Sequence, residues 1–296
     1  MKKLFYFTIV ALLSLTACES PDEPGKSDGN SIGNSTGNQS GSIINPSDPA
    51  KPDDTDKPEE EKTDTPVVPG TSSFVAKPFS VSASKTVTFS PGNLQYHAAN
   101  DEWRFAPSQL DYIGEVSSTY NGWIDLFGWG TGNNPTNKST DYNDYQTFVD
   151  WGVNKIGSYS SNTWRTLTYY EWDYLCNKRP NYDKLIGVAQ VNGVNGLILL
   201  PDAWVCPNGV TFKSGFHYDS GTEYYAAYQS ISAAVWSKLK ASGAVFLPAA
   251  GFRDGHYWSA TEFHSSYANY LYINSNEAYM YRSDRCLGHS VRLVQD

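Results

Sequence analysis

Cys286 and His289 stand three residues apart in "RCLGHSVRLV", near the carboxyl end, and are the first pair to weigh as chemistry. A thiol with an imidazole nearby can serve as a nucleophile, but at neutral pH it needs a base within reach and a third group to orient that base. No nucleophile elbow, paired acid–base carboxylates or zinc spacing accompanies them. The expectation is a non-enzymatic protein with no catalytic residues and no cofactor. The residues just upstream carry a different chemistry. In "NYLYINSNEAYMYRSD" the period is two: Leu271 and Ile273 fall on one side of a strand, Tyr270, Tyr272 and Asn274 on the other. After the turn "NSNE", Ala278 and Met280 share a side and Tyr279 and Tyr281 take the opposite one. Phe263, His264, Tyr267, Asn269, Asn276, Ser283, Asp284 and His289 extend the polar and aromatic set through the connecting turns. Tyrosine is a good strand former, so a half-buried sheet would also alternate. A merely solvated face would draw more on Lys, Glu and Thr. Tyr with Ser and Asn is the composition of contact surfaces, where rigid rings give area and small polar groups adapt their hydrogen bonds. These thirteen positions form the expected ligand-binding set.

The elements that must hold this set can be read upstream. "FSVSASKTVTFSPGNLQYH" places Val81, Val87 and Phe89 among small polar residues, and "EWRFAP" follows with Trp103 and Phe105 spaced for one face, which predicts a β-meander. From Trp123 to Tyr145 glycines and asparagines dominate, so a long loop is expected, either functional or pinned by other parts. Its Asn, Asp and Thr oxygens could hold calcium, but they lack EF-hand spacing, and no metal is expected. Thr168-Tyr-Tyr-Glu171 is a capping box that starts a helix near Tyr169, with Trp172 and Leu175 on one stripe and Pro180 to stop it. In "SISAAVWSKLKASG" Ile231, Val235 and Leu239 recur at four-residue steps and Gly243 fits the C′ cap. Leu197 to Leu200 and Val245 to Leu247 read as strands buried on both faces, each closed by Pro. Strands, helix, strand, helix, then several strands make an α+β class with a mixed or antiparallel core and two helices.

Charge and address come from the amino end. Lys2 and Lys3 precede an apolar run, Leu4 to Leu15, too short to span a bilayer, which predicts a signal peptide over residues 1–18. "LTAC" resembles a bacterial lipobox, and by that resemblance Cys18 is the lipidation site and the mature chain is anchored in the outer membrane, exposed at the cell surface. Residues 19–72 are Pro, Gly, Ser, Asn and acids with almost nothing to bury, a disordered tether. The tether carries −8 of the formal −9 of the chain, so acidity says little about what the following domain binds. Extended, it could hold a domain on the order of 100 Å from the lipid. Residues 73–296 form one globular domain. Besides Cys18 there are only Cys176, Cys206 and Cys286, no disulfide framework; if one pair bridges, Cys176 with Cys206 is the expected one.

"GVNGLILLPDAW", "GAVFLPAAGFRDG", "YWSAT" and "GHSVRLV" resemble a family of surface lipoproteins with a C-type lectin-like domain, related in fold to formylglycine-generating enzymes, a resemblance shared with the Fibrobacter succinogenes major paralogous domain family. Some members are the variable proteins of diversity-generating retroelements. The resemblance covers most of residues 79–294 and implies a C-type lectin-like fold whose region 257–294 is variable and binds ligand. It implies an invariant frame of Tyr257, Trp258, Ser259, Gly288, Val291, Arg292 and Leu293, with Arg292 anchoring the last strand through a buried ion pair. The related enzymes need two reactive cysteines late in the domain, and this chain has Cys286 alone there. The calcium-lectin triplets "EPN", "QPD" and "WND" do not occur. The function expected is a ligand-binding surface protein whose partner is an unidentified protein or glycan at the cell surface, with no nucleic-acid partner. The alternative from another class is a structural or adhesive tip subunit of a surface fibre.

Overall fold

The computed structural model describes residues 75–116, 120–216, 228–249 and 254–296. The expected signal peptide, the Cys18 lipidation site and the tether lie outside the described residues.

In chain order the strands begin with β1 (Phe79–Ser80), β2 (Thr86–Phe89), β3 (Leu94–His97), β4 (Glu102–Phe105), β5 (Trp123–Ile124) and β6 (Arg165–Thr166). Helix α1 (Tyr169–Asn177) precedes β7 (Ile186–Val191), β8 (Val194–Leu199) and β9 (Gln229–Ile231). Helix α2 (Ala233–Ala241) precedes β10 (Val245–Pro248), β11 (Gly255–His264), β12 (Tyr267–Ile273), β13 (Ala278–Asp284) and β14 (Leu293–Gln295). Four sheets result, ordered β1-β2-β14-β6, β10-β8-β7-β9, β11-β12-β13 and β4-β3-β5. The pairing is antiparallel except where β9 joins β7 in parallel, so the chain is an α+β protein with two helices and mostly antiparallel sheets.

Both helices follow their sequence signals. Thr168 accepts from the Glu171 N–H while Glu171 reaches back to the Thr168 N–H, the reciprocal capping box. Trp172, Leu175 and Cys176 make the buried stripe of α1. Ser232 caps α2, Trp236 and Leu239 are its buried residues, and Gly243 takes φ +95°, a backbone that only glycine adopts at low cost. Ile231 is not in α2: it ends β9, where it joins the core as a strand residue. The run Leu197–Leu200 is fully buried because β8 lies between β10 and β7, with apolar residues needed on both faces.

The amino-terminal meander is divided. β2 turns away to pair with the chain's last strand, β14, while β3 pairs with β4 and β5 in a separate sheet. The break falls at Ser90–Asn93, where the Ser90 N–H donates to the Leu293 carbonyl and the Leu94 N–H to that of Val291. The expectation of one sheet fails because local alternation carries no information about a strand arriving two hundred residues later. The carboxyl terminus is tied down by charge. Arg165 forks onto both carboxylate oxygens of Glu171 at 2.8 Å and reaches Asp296, which also meets Lys85.

Three expectations about individual residues need correction or settlement. Cys176 is buried and Cys206 exposed, both as free thiols, so that bridge is not made. Arg292 is fully buried but makes no ion pair among the described residues; its guanidinium donates to the neutral amide oxygens of Asn93 and Gln109. Burial pulls its pKa down to about 10, still a cation at neutral pH. The long loop after β5 is pinned by other parts. Asp125 accepts from the N–H groups of Ile113 and Gly114, and the Trp129 indole donates to the Ser259 carbonyl.

Candidate ligand-binding face

The register of β11, β12 and β13 sets aromatic side chains in two rows across one face. Trp258 stands opposite Tyr270, which stands opposite Tyr281; His256 stands opposite Tyr272, which stands opposite Tyr279. Because successive strand residues point to opposite faces, all six share one side, while Leu271, Ile273 and Ala278 go to the core on the other. The rings touch along and between rows. Centroids are 6.1 Å apart for Tyr270–Tyr281, 5.3 Å for Tyr272–Tyr279 and 5.9 Å for Tyr279–Tyr281. Each such contact contributes about 0.5–1.5 kcal/mol beyond area burial.

Burial is graded along the first row. Trp258 is 1 % exposed, Tyr270 6 % and Tyr281 50 %. The inner end is sealed by the chain segment before β14. There His289 lays its ring 4.2 Å from that of Trp258 and 4.7 Å from that of Tyr270, and the Trp258 indole donates to the Phe127 carbonyl. The outer end is open. Of the positions expected to be displayed, Tyr281 is exposed at the rim, Ser283 and Tyr279 are half-buried, and Asp284 is exposed. Phe263, His264 and Tyr267 are exposed around the β11–β12 turn. By the two-residue period Tyr272, Tyr279, Tyr281 and Ser283 lie on the array side, whereas Tyr267 and its partner Asp284 fall on the opposite side, where Phe263 lines a cleft.

Four further expected members are buried. Asn269 is on the opposite face of the sheet, buried, its amide donating to the Thr261 and Glu262 carbonyls where β11 departs from regular register. Asn274 and Asn276 are buried in the β12–β13 turn, where the Asn274 side-chain oxygen accepts from the N–H groups of Asn276 and Glu277. His289 is the fourth, buried among rings with its Nδ1 facing the Gly288 carbonyl at 2.8 Å. Sequence alternation identified the strand faces correctly, but it could not see that an Asn builds a turn or that a later segment covers part of a face.

The electrostatics suit contact. Burial, with the neighbouring His256 adding to it, pulls the His289 imidazole down to about 3, and burial also lowers His256. Both rings are neutral at pH 7. Burial pushes the Tyr272 phenol up to about 12, Asn274 opposing and Asp254 adding to the rise, and burial likewise raises Tyr270 and Tyr279. The hydroxyls therefore act as neutral donors and acceptors. The His289 ring packs against those of His256, Trp258 and Tyr270. Among the described residues no group of three or more His, Cys, Asp or Glu side chains could hold a metal.

Sequence reading missed Arg285. Its side chain is fully buried and donates to the carbonyls of Tyr145, His264 and Tyr267 and to Glu262, while its guanidinium lies 4.4 Å over the Trp129 ring. It thus fastens the β11–β12 turn to the long loop. A cation directly after the turn residues "SD" was the available signal. Also missed was a cleft of about 460 Å³ on the other face of the sheet, between β11–β13 and the first turn of α1.

The fold and this face together define an α+β protein with an aromatic, partly exposed sheet face. Comparison with known protein families, curated proteins and solved structures returns no match to the chain. Among the described residues no helix is long and apolar enough to cross a membrane.

Proposed function

We propose that this chain is a lipid-anchored cell-surface protein that captures a ligand through the open end of the tyrosine array on β12 and β13, in a domain of C-type lectin-like architecture. The observation that carries this reading is the in-register quartet of Tyr270, Tyr272, Tyr279 and Tyr281, packed at one end and solvent-facing at the other. Rings held rigid by their neighbours lose little conformational freedom on binding, which favours contact surfaces of this kind. The lipobox resemblance at Cys18 and the tether support display at the surface, and the sequence resemblance over residues 79–294 supports both the lectin-like architecture and a variable region at 257–294.

The test is capture from arrays of purified glycans and purified surface proteins by the tethered chain and by a Tyr279→Ala/Tyr281→Ala variant. At least one arrayed ligand should be held by the natural chain and released by the variant. Equal capture by both chains would refute the reading. Assembly into a fibre is favoured by one observation, that β13 stands at the edge of its sheet among the described strands. Concentration-dependent oligomers that disappear when proline replaces a β13 residue would establish it.

A further inference from the structure

The cleft opposite the tyrosine array has a chemistry of its own. Its floor is the α1-facing side of β12 and β13, its far wall the first turn of α1, and its rim the exposed rings of Tyr170, Phe263 and Tyr281. Its volume of about 460 Å³ falls within the range of roughly 300–1,000 Å³ typical of small-ligand sites. Thr261, Glu262, Asn269 and Arg282 line it beside the rings, unlike the mostly apolar pockets that hold hydrophobic ligands.

Its charge is the second observation. The Arg282 guanidinium sits 4.8 Å over the Phe263 ring and, among the described residues, has no carboxylate partner. The acid nearest to hand, Glu262, is already bound to the buried Arg285 at 3.0 Å. A stacked arginine keeps its fork of N–H groups in a fixed plane, the arrangement that receives a carboxylate through two parallel hydrogen bonds. A ligand suited to this cleft therefore carries a carboxylate on a ring whose faces are apolar and whose edge is rich in hydroxyls. A uronic acid fits that description: its C–H faces stack on Tyr170 and Phe263, its hydroxyls meet the polar half of the lining, and its carboxylate meets Arg282. An aromatic acid would meet the rings and the arginine but brings no hydroxyl-rich edge.

We infer that the cleft between the first turn of α1 and strands β11–β13 is a binding site for an acidic sugar, with Arg282 as the carboxylate receptor and Tyr170 and Phe263 as stacking platforms. This inference rests on the binding-protein reading above and names a ligand class for a site beside the quartet.

Titration calorimetry of the full chain with an oligogalacturonate, with a neutral galactose oligomer of equal length and with 4-hydroxybenzoate tests it. The acidic oligomer should bind, weakening with added salt, and the neutral one should bind far less. Arg282→Gln should weaken the acidic oligomer about 10- to 100-fold, the range for charge-assisted hydrogen bonds. Arg282→Lys should fall between, and Tyr112→Ala, an exposed tyrosine elsewhere, should match the natural chain. Arg282 and Tyr112 are exposed, so unfolding midpoints should not move in these variants. Absence of oligogalacturonate binding, equal binding by Arg282→Gln, or binding of 4-hydroxybenzoate alone would each overturn the inference. Uronate binding that falls with Tyr279→Ala but survives Arg282→Gln would also overturn it while upholding the quartet. Uronate binding that needs Arg282, on a chain whose array capture ignores Tyr279 and Tyr281, would uphold the cleft and sink the quartet reading.

Discussion

Tyr270 and Tyr281 face each other across the β12–β13 ladder with ring centroids 6.1 Å apart, yet one is 6 % exposed and the other 50 %. The same residue type in the same row serves as core at one strand and as surface at the next. Tyr270→Ala should cost about 3–5 kcal/mol in urea unfolding, as for other buried aromatic truncations. Tyr281→Ala should stay within about 0.5 kcal/mol of the natural chain. Equal losses at the two positions would mean that the array is core throughout.

His289 makes stability depend on pH. Its folded pKa, about 3, lies below the ordinary value of 6.5, so between those values the unfolded chain binds the proton that the folded chain excludes. Stability is then full above pH 6.5 and declines as pH falls toward 3, with a slope near 1.4 kcal/mol per pH unit for one proton. His256, also lowered and facing the same rings with Asp254 beside it, acts in the same direction. Asp125 and Asp150, raised by burial, oppose the trend at the acid end of the window. Urea unfolding across this range should therefore show a shallower slope in His289→Gln than in the natural chain, and parallel slopes would contradict the assignment.

Arg292 is a buried cation held by amides. Arg292→Met removes the donors to both amides and strands the buried Asn93 oxygen, while that of Gln109 keeps the Phe246 N–H, a loss on the order of 3 kcal/mol. Arg292→Lys should recover part of it, because an ammonium can reach one oxygen but cannot fork to both. Guanidinium unfolding of the two variants checks the order.

Arg285 joins the β11–β12 turn to the Tyr145 carbonyl and the Trp129 ring. Arg285→Met should raise amide hydrogen exchange at residues 264–267 and around Tyr145 while leaving α2 unchanged. Uniform loss of protection across the domain would show a global rather than a local role.

Cys176 and Cys206 should differ as thiols. Burial pushes the Cys176 thiol up to about 12, so iodoacetamide should spare it in the native chain and modify it after unfolding, whereas exposed Cys206 should react natively. Resistance of both until reduction would restore the bridge.

What could be read from the sequence followed from local physics. The capping box at Thr168–Glu171, the glycine stop at Gly243 and the two-residue period of β12 and β13 depend on neighbours a few positions apart, and each is seen where expected. The division of the meander, the covering of His289 and the burial of Arg285 depend on segments that meet from more than a hundred residues away. Asn274 shows a subtler limit. Its alternation with Tyr272 is genuine, but as the first residue of a turn its side chain serves the backbone of Asn276 and Glu277. The cleft was invisible because one wall of it comes from Tyr169 and Tyr170, on a helix whose signals concern only its own cap.

The central claim is that the outer end of the array recognises a ligand while its inner end holds the fold. A saturation scan of positions 256–291, displayed on cells and read separately for protease resistance and for capture of an arrayed ligand, tests this most directly. The account predicts that positions 279 and 281 tolerate substitution for folding but not for capture, whereas positions 258, 270 and 289 fail in both. Capture that is indifferent to substitution at 279 and 281, or folding that fails there as it does at 258, would contradict it.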